Sequence, residues 1–166
     1  MDPYPQLSEK EWPELRKAKA SSKTAWRYFE HLVKTLHAEL GEEKTAAILA
    51  EFMRGNARRF VVPALSSFGL DGKDAWSLAS YFKLATGDII GYRAELSRPE
   101  PGVVSYRLHP PCLWFPNLDI PPSFCRAMGC FEEEAARIVN PAIEIRHNKL
   151  MTAGDPYCEI LFIEKG

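Results

Sequence analysis

The sequence predicts an α+β domain in which N-terminal helices pack on a mostly antiparallel sheet that carries a helical insertion. Three observations lead there. Apolar residues recur at three and four through the first half of the chain. After Thr86-Gly87-Asp88 the period changes to alternation. A proline-rich interval and a short helical stretch then separate the first two strands from the last two. At 166 residues the chain is most simply one domain, long enough to bury a core without disulfides or metal.

Residues 1–20 carry three prolines and mixed charge, so they are expected to form an arm or a weak first helix ahead of a domain spanning 21–166. From Ser22 to Leu40, the residues Trp26, Phe29, Leu32, Val33, Leu36 and Leu40 mark an amphipathic helix that Gly41 ends. A second helix is expected between Glu42 and Phe60 on Ile48, Leu49, Phe52 and Met53, with Glu42 and Glu43 at its start and Arg58 and Arg59 at its end. The third covers about Gly72 to Leu84 through Trp76, Leu78, Ala79 and Phe82.

Beyond the Thr86-Gly87-Asp88 turn, residues 89–96 and 103–108 read as two strands joined by a hairpin through Arg98 to Gly102. The interval His109 to Pro122 leads to helical material from Ser123 to Asn140, with Phe124, Met128, Phe131, Ala135 and Ile138 facing inward. Residues 142–147 and 159–164 supply two more strands.

The formal net charge of −1 creates no field to attract nucleic acid or an anionic membrane, and no run of apolar residues is long enough to span a bilayer. No secretory signal is visible at the N-terminus, so a cytoplasmic location is expected, with a small molecule as the partner and a homo-oligomer as an open option. In that compartment Cys112, Cys125, Cys130 and Cys158 are expected as thiols rather than disulfides. They form no Cys-x-x-Cys pair, which argues against a structural zinc knuckle.

Cys112 and Cys158 each sit at the end of a strand beside a turn, where side chains tend to line a pocket. Cys158 is a candidate nucleophile, activated by His147, Arg146 or Lys149, because the thiolate is the reactive form and a nearby cation lowers its pKa. Cys130 reads as a buried structural thiol. His31 and His37 fall on helix surfaces, leaving His109 and His147 as candidate bases. Asp155, in Gly154-Asp155-Pro156, either organises a turn or handles protons. Arg107 and Arg146 are candidates to hold a substrate carboxylate, and Trp114 is a core or pocket aromatic.

Leu40-Gly41-Glu42-Glu43 between two helices, Cys112 after a strand, Cys125 in the next helix, and Gly154-Asp155 with Cys158 before the last strand together resemble the L-2-amino-thiazoline-4-carboxylic acid hydrolase family. The Gly-Asp-x-x-Cys ending also resembles the tail of 4-vinyl reductase-like small-molecule-binding domains, in which cysteines contribute to a zinc site. The first resemblance implies hydrolytic opening of a small cyclic amidine to a carbamoyl cysteine. Either Cys158 or Cys112 would attack while Asp155 or His147 manages protons, or an activated water would attack with Asp155 or His147 as base while the cysteines shape the pocket; Cys125, Trp114, Arg107 and Arg146 would bind substrate, without cofactor or metal. The alternatives are a non-catalytic sensor or carrier domain, with zinc on Cys112, Cys125 and Cys158 as a variant, and an assembly protein that docks through its helices.

Overall fold

The computed structural model describes residues 13–70 and 72–165. Among the described residues five α-helices and a four-stranded sheet form one α+β arrangement. Helix α1 runs over Glu14–Leu40, so it is already under way inside the segment expected as an arm, whose residues 1–12 lie outside the described residues. Its inward face is narrower than the sequence stripe. Val33 is fully buried and Trp26 and Phe29 partly so, but Leu32 and Leu40 face solvent. Gly41, at φ 79°, makes the bend into α2 in a region that glycine enters without steric cost.

Helix α2, Glu42–Ser67, continues seven residues past its expected end and through Pro63. Pro63 removes one backbone donor, but burial of Val61 and Leu65 on either side of it carries the helix onward. Arg58 is therefore not a terminal charge. It lies mid-helix and donates to Glu134 of the last helix at 2.7 Å. Ile48 and Phe52 are half exposed, and Thr45, Leu49 and Ala57 make the buried seam instead.

Helix α3, Ala75–Phe82, is capped by Asp74, whose carboxylate accepts from the Ser77 amide at 2.8 Å. Here the expectation of a turn and a strand from residue 89 fails. The chain continues as a π-helical segment over Lys83–Ile89. Lys83 and Asp88, five residues apart, form an ion pair at 2.7 Å, a separation that suits the wider π turn. Gly87 lets this turn approach Ala94, since a Cβ there would sit 3.2 Å from the Ala94 Cβ.

Strand β1 accordingly starts late, at Ala94, and runs to Glu100, into the expected loop. β2 (Val103–Leu108), β3 (Ile143–Lys149) and β4 (Cys158–Glu164) lie within two residues of their expected bounds. The sheet order is β1-β2-β4-β3, antiparallel throughout. Pro99 is tolerated because β1 is an edge strand.

Register fixes which side chains meet the helices. Tyr106 pairs with Ile160, Leu108 with Cys158, and His147 with Ile160, so these share the inner face with Val104 and Phe162. Arg107, Glu159, Ser105 and Arg146 fall on the outer face. Helices α4, Pro122–Met128, and α5, Cys130–Val139, pack against α2 and cross over the inner face. Among the described residues no helix is long and apolar enough to cross a membrane.

Candidate functional site

Between the helices and the inner face of the sheet lies a cavity of about 250 Å³. Its floor is Tyr106, Leu108, Cys158 and Ile160 of β2 and β4. One wall is Tyr81, Phe82, Ala85, Thr86 and Ile90, from α3 and the π segment. The other is Cys125, Met128, Gly129, Phe131 and Glu132, from α4 and α5. Trp26, Met53, Trp114 and Leu150 complete it. The π turn thus widens the helix where it forms the wall, a recurrent use of such segments.

The α4–α5 break is set by a close approach. A Cβ on Gly129 would lie 2.2 Å from Nε2 of His147, so only glycine lets the imidazole tuck beneath the junction. That imidazole is no base poised over the cavity. Its Nε2 is buried without a hydrogen-bond partner, Nδ1 is 3.9 Å from Glu133, and burial holds its pKa below the usual value, so it is neutral.

The thiols divide into two groups. Cys130 lies apart, receiving a hydrogen bond from Arg54 at 3.4 Å. Cys112, Cys125 and Cys158 come together, close enough that charge on Cys112 and Cys158 raises the pKa of Cys125, and charge on Cys112 that of Cys158. Cys125 and Cys158 line the cavity. Cys112 is buried beside it, accepting from the Phe115 amide at 3.4 Å. Desolvation pushes the Cys125 thiol up to about 12 and the Cys158 thiol up to about 11. The Met151 amide donates to the Cys158 sulfur at 3.4 Å, which partly offsets that rise. Both are thiols, not thiolates, at neutral pH.

The cations expected near Cys158 are elsewhere. Arg107 donates to Glu159 at 2.7 Å and Arg146 to Glu144 at 3.3 Å, both on the outer face of the sheet. Lys149 bonds the Tyr157 hydroxyl at 2.7 Å on that same side. His109 is drawn to Glu95 at 3.0 Å, at the sheet edge. Strand alternation separates these groups from the cavity by a full sheet thickness. Asp155 accepts from the Leu150 amide at 2.8 Å and ties the turn that delivers β4, the turn-forming role open to it from the sequence. Trp114 does line the cavity, edge-on to Trp26 at 5.2 Å. Both indole Nε1 groups are buried without a partner.

One residue escaped the sequence reading altogether. Glu132, in the first turn of α5, turns its carboxyl into the cavity. No cation or other side chain among the described residues bonds it. Desolvation pushes its pKa up to about 8, against the opposing pull of its own backbone amide. A signal existed: Glu132 follows Met128 by four and precedes Ala135 by three, which puts it on the buried stripe. The acidic run Glu132-Glu133-Glu134 at a helix start instead reads as solvated charge. Among the described residues no group of three or more His, Cys, Asp or Glu side chains is arranged to hold a metal ion.

No protein-family model matches the chain, and no curated protein matches it in sequence. Solved structures do share its fold. A trafficking protein particle complex subunit 3 from Naegleria fowleri, covalently bound to palmitic acid, matches with a TM-score of 0.62 at 14% identity, over 89% of this chain and 97% of that one. The phenol-responsive sensory domain of the transcription activator PoxR, solved with phenol, matches with a TM-score of 0.60 at 14% identity, over 84% and 74%. An H-NOX domain from Shewanella oneidensis in its Fe(II)CO ligation state matches with a TM-score of 0.53 at 16% identity, over 95% and 85%. At these identities the likeness establishes a common fold and nothing of activity.

Proposed function

We propose that the protein is a small-molecule-binding domain, of sensor or carrier type, that takes up a compact, largely apolar compound in the cavity between helices and sheet. The carrying observation is the cavity itself, about 250 Å³ and walled by Trp, Tyr, Phe, Met, Leu and Ile side chains. An engineered hollow of about 150 Å³ accepts benzene, so this volume suits a compound of one or two rings. The wall is drawn from α3, the π segment, β2, α4, α5 and β4, so occupancy would bear on most of the fold at once. The neighbours solved with phenol and with palmitic acid give this reading an associational support.

Isothermal titration of a panel of one- and two-ring compounds tests it. The expected result is saturable binding at one site, abolished by Ala85→Phe, which fills the hollow. Absence of binding across the panel, or binding indifferent to Ala85→Phe, would contradict it.

The convergence of Cys112, Cys125 and Cys158 on one end of the cavity favours a second reading, the cyclic-amidine hydrolase of the sequence resemblance. In its covalent form a thiol must first lose its proton, and the lining offers no Lys, Arg or His to assist or to hold a substrate carboxylate. That is why binding is our first reading. Incubation with 2-amino-thiazoline-4-carboxylate, following free thiol release by mass spectrometry, tests the second: turnover lost in Cys158→Ser but kept in Cys130→Ser supports it, and no turnover removes that substrate.

A further inference from the structure

We propose that the cavity selects compounds carrying a protonated amine on a compact aromatic body, with the Glu132 carboxyl as the group that receives the ammonium. This rests on the small-molecule-binding reading and adds the chemical class of ligand.

The contrast with the buried carboxylates is the first ground. Glu30 is met by Arg27 and by Lys34, the latter at 2.9 Å. Glu134 is met by Arg58 at 2.7 Å and Arg137 at 2.5 Å. Glu159 accepts from Arg107 at 2.7 Å, Ser105 at 2.8 Å and Asn148 at 2.5 Å. Each follows the rule that a buried charge is paired. Glu132 has no such partner among the described residues and keeps its proton at neutral pH instead, and the space in front of its carboxyl is the cavity rather than protein.

The second ground is what surrounds that space. The lining contains no Lys, Arg or His, so any countercharge must come with the ligand. The Tyr106 hydroxyl is already engaged, donating to the Phe82 carbonyl at 3.3 Å, and does not serve the carboxyl. Phe82 stands 5.8 Å from Phe131 and 6.3 Å from Tyr106 between ring centroids, so aromatic rings of three elements frame the site. Ring faces attract cations and give nothing to anions. A ligand carboxylate would bury its charge where the lining offers no cation. An apolar ligand would leave the carboxyl unpaired. An ammonium donates three N–H groups, balances the charge and keeps its hydrocarbon body against the rings.

The test compares three probes of similar size on the full chain at about pH 8, where the Glu132 carboxyl gives up its proton, by titration calorimetry: 2-phenylethylamine, propylbenzene and phenylacetate. A charge-assisted hydrogen bond is worth about 1.5–3 kcal/mol, so the amine should bind roughly tenfold or more tighter than propylbenzene, and phenylacetate weakest. Glu132→Gln should bring the amine down to the affinity of propylbenzene or below it, while propylbenzene keeps its affinity. Propylbenzene also reports that the variant is folded. Glu132→Asp, which keeps the charge but withdraws it by one methylene, should retain part of the preference. Equal binding of amine and propylbenzene by the unmodified protein, or a preference that survives Glu132→Gln, overturns the proposal and leaves the binding reading standing. Failure of all three probes to bind overturns both.

Discussion

Replacing Glu132 by Gln should change how stability depends on pH. The carboxyl sits in apolar surroundings that push its pKa from the ordinary 4.5 up to about 8. In the folded chain it therefore keeps a proton that the unfolded chain gives up. Stability from this group is full below the unfolded value, declines as pH rises between the two, and is fully lost above about 8. At about 1.36 kcal/mol per unit, the interval corresponds to roughly 5 kcal/mol, an upper bound because the cavity admits some water. Gln has nearly the same shape and no charge to bury, so the variant lacks this decline. Urea unfolding of both proteins between about pH 5 and about pH 8 gives the difference directly, since every other titrating group cancels. The variant should match the parent at the acid end and exceed it by several kcal/mol at the basic end. A difference that stays constant across the range refutes the buried, unpartnered carboxyl.

Other outcomes follow from the same geometry. Gly129→Ala should cost about 1–3 kcal/mol by driving a methyl into the His147 ring, and the added change His147→Ala should recover much of it in a double-mutant cycle. Neutral, buried His147 lowers stability on the acid side, where the unfolded chain takes up a proton that the folded chain resists. His147→Leu should therefore flatten stability below about pH 6.5. Iodoacetamide should alkylate Cys158 roughly 100-fold and Cys125 roughly 1000-fold more slowly than an unperturbed thiol at neutral pH, read by peptide mass spectrometry. Alkylation of Cys158 at the free rate would restore the covalent hydrolase reading to first place. Arg58→Ala should lower the urea midpoint by leaving Glu134 with Arg137 alone.

The α+β architecture was legible because period carries it: β2 and β4 are alternating runs whose inner residues are large and apolar. The π segment was hidden because Thr86-Gly87-Asp88 has the composition of a turn. Only the Lys83–Asp88 spacing, meaningful once the wide helix is seen, tells otherwise. The extension of α2 through Pro63 was hidden for a related reason, since local propensity yields there to burial of Val61 and Leu65.

The site divides in the same way. That Cys125 and Cys158 share a cavity wall with Trp114 accords with their positions at strand ends and helix faces. The outward course of Arg107 and Arg146 was available from alternation, since each neighbours an inward residue, Tyr106 or Leu108 in one case and Ile145 or His147 in the other. Cavity formation itself was not available, because it depends on how far α5 and the π segment stand from the sheet. Glu132 acquires its meaning from that separation.

The claim that the hollow between helices and sheet is a ligand site is tested most directly by methionine methyl resonances. Met53 and Met128 line the cavity. In protein labelled at the methionine methyls, titration with a compact aromatic amine should shift the Met53 and Met128 signals together and saturably, and produce no shift in Ala85→Phe. Unchanged Met53 and Met128 signals at saturating ligand, or shifts that persist in Ala85→Phe, would contradict the account.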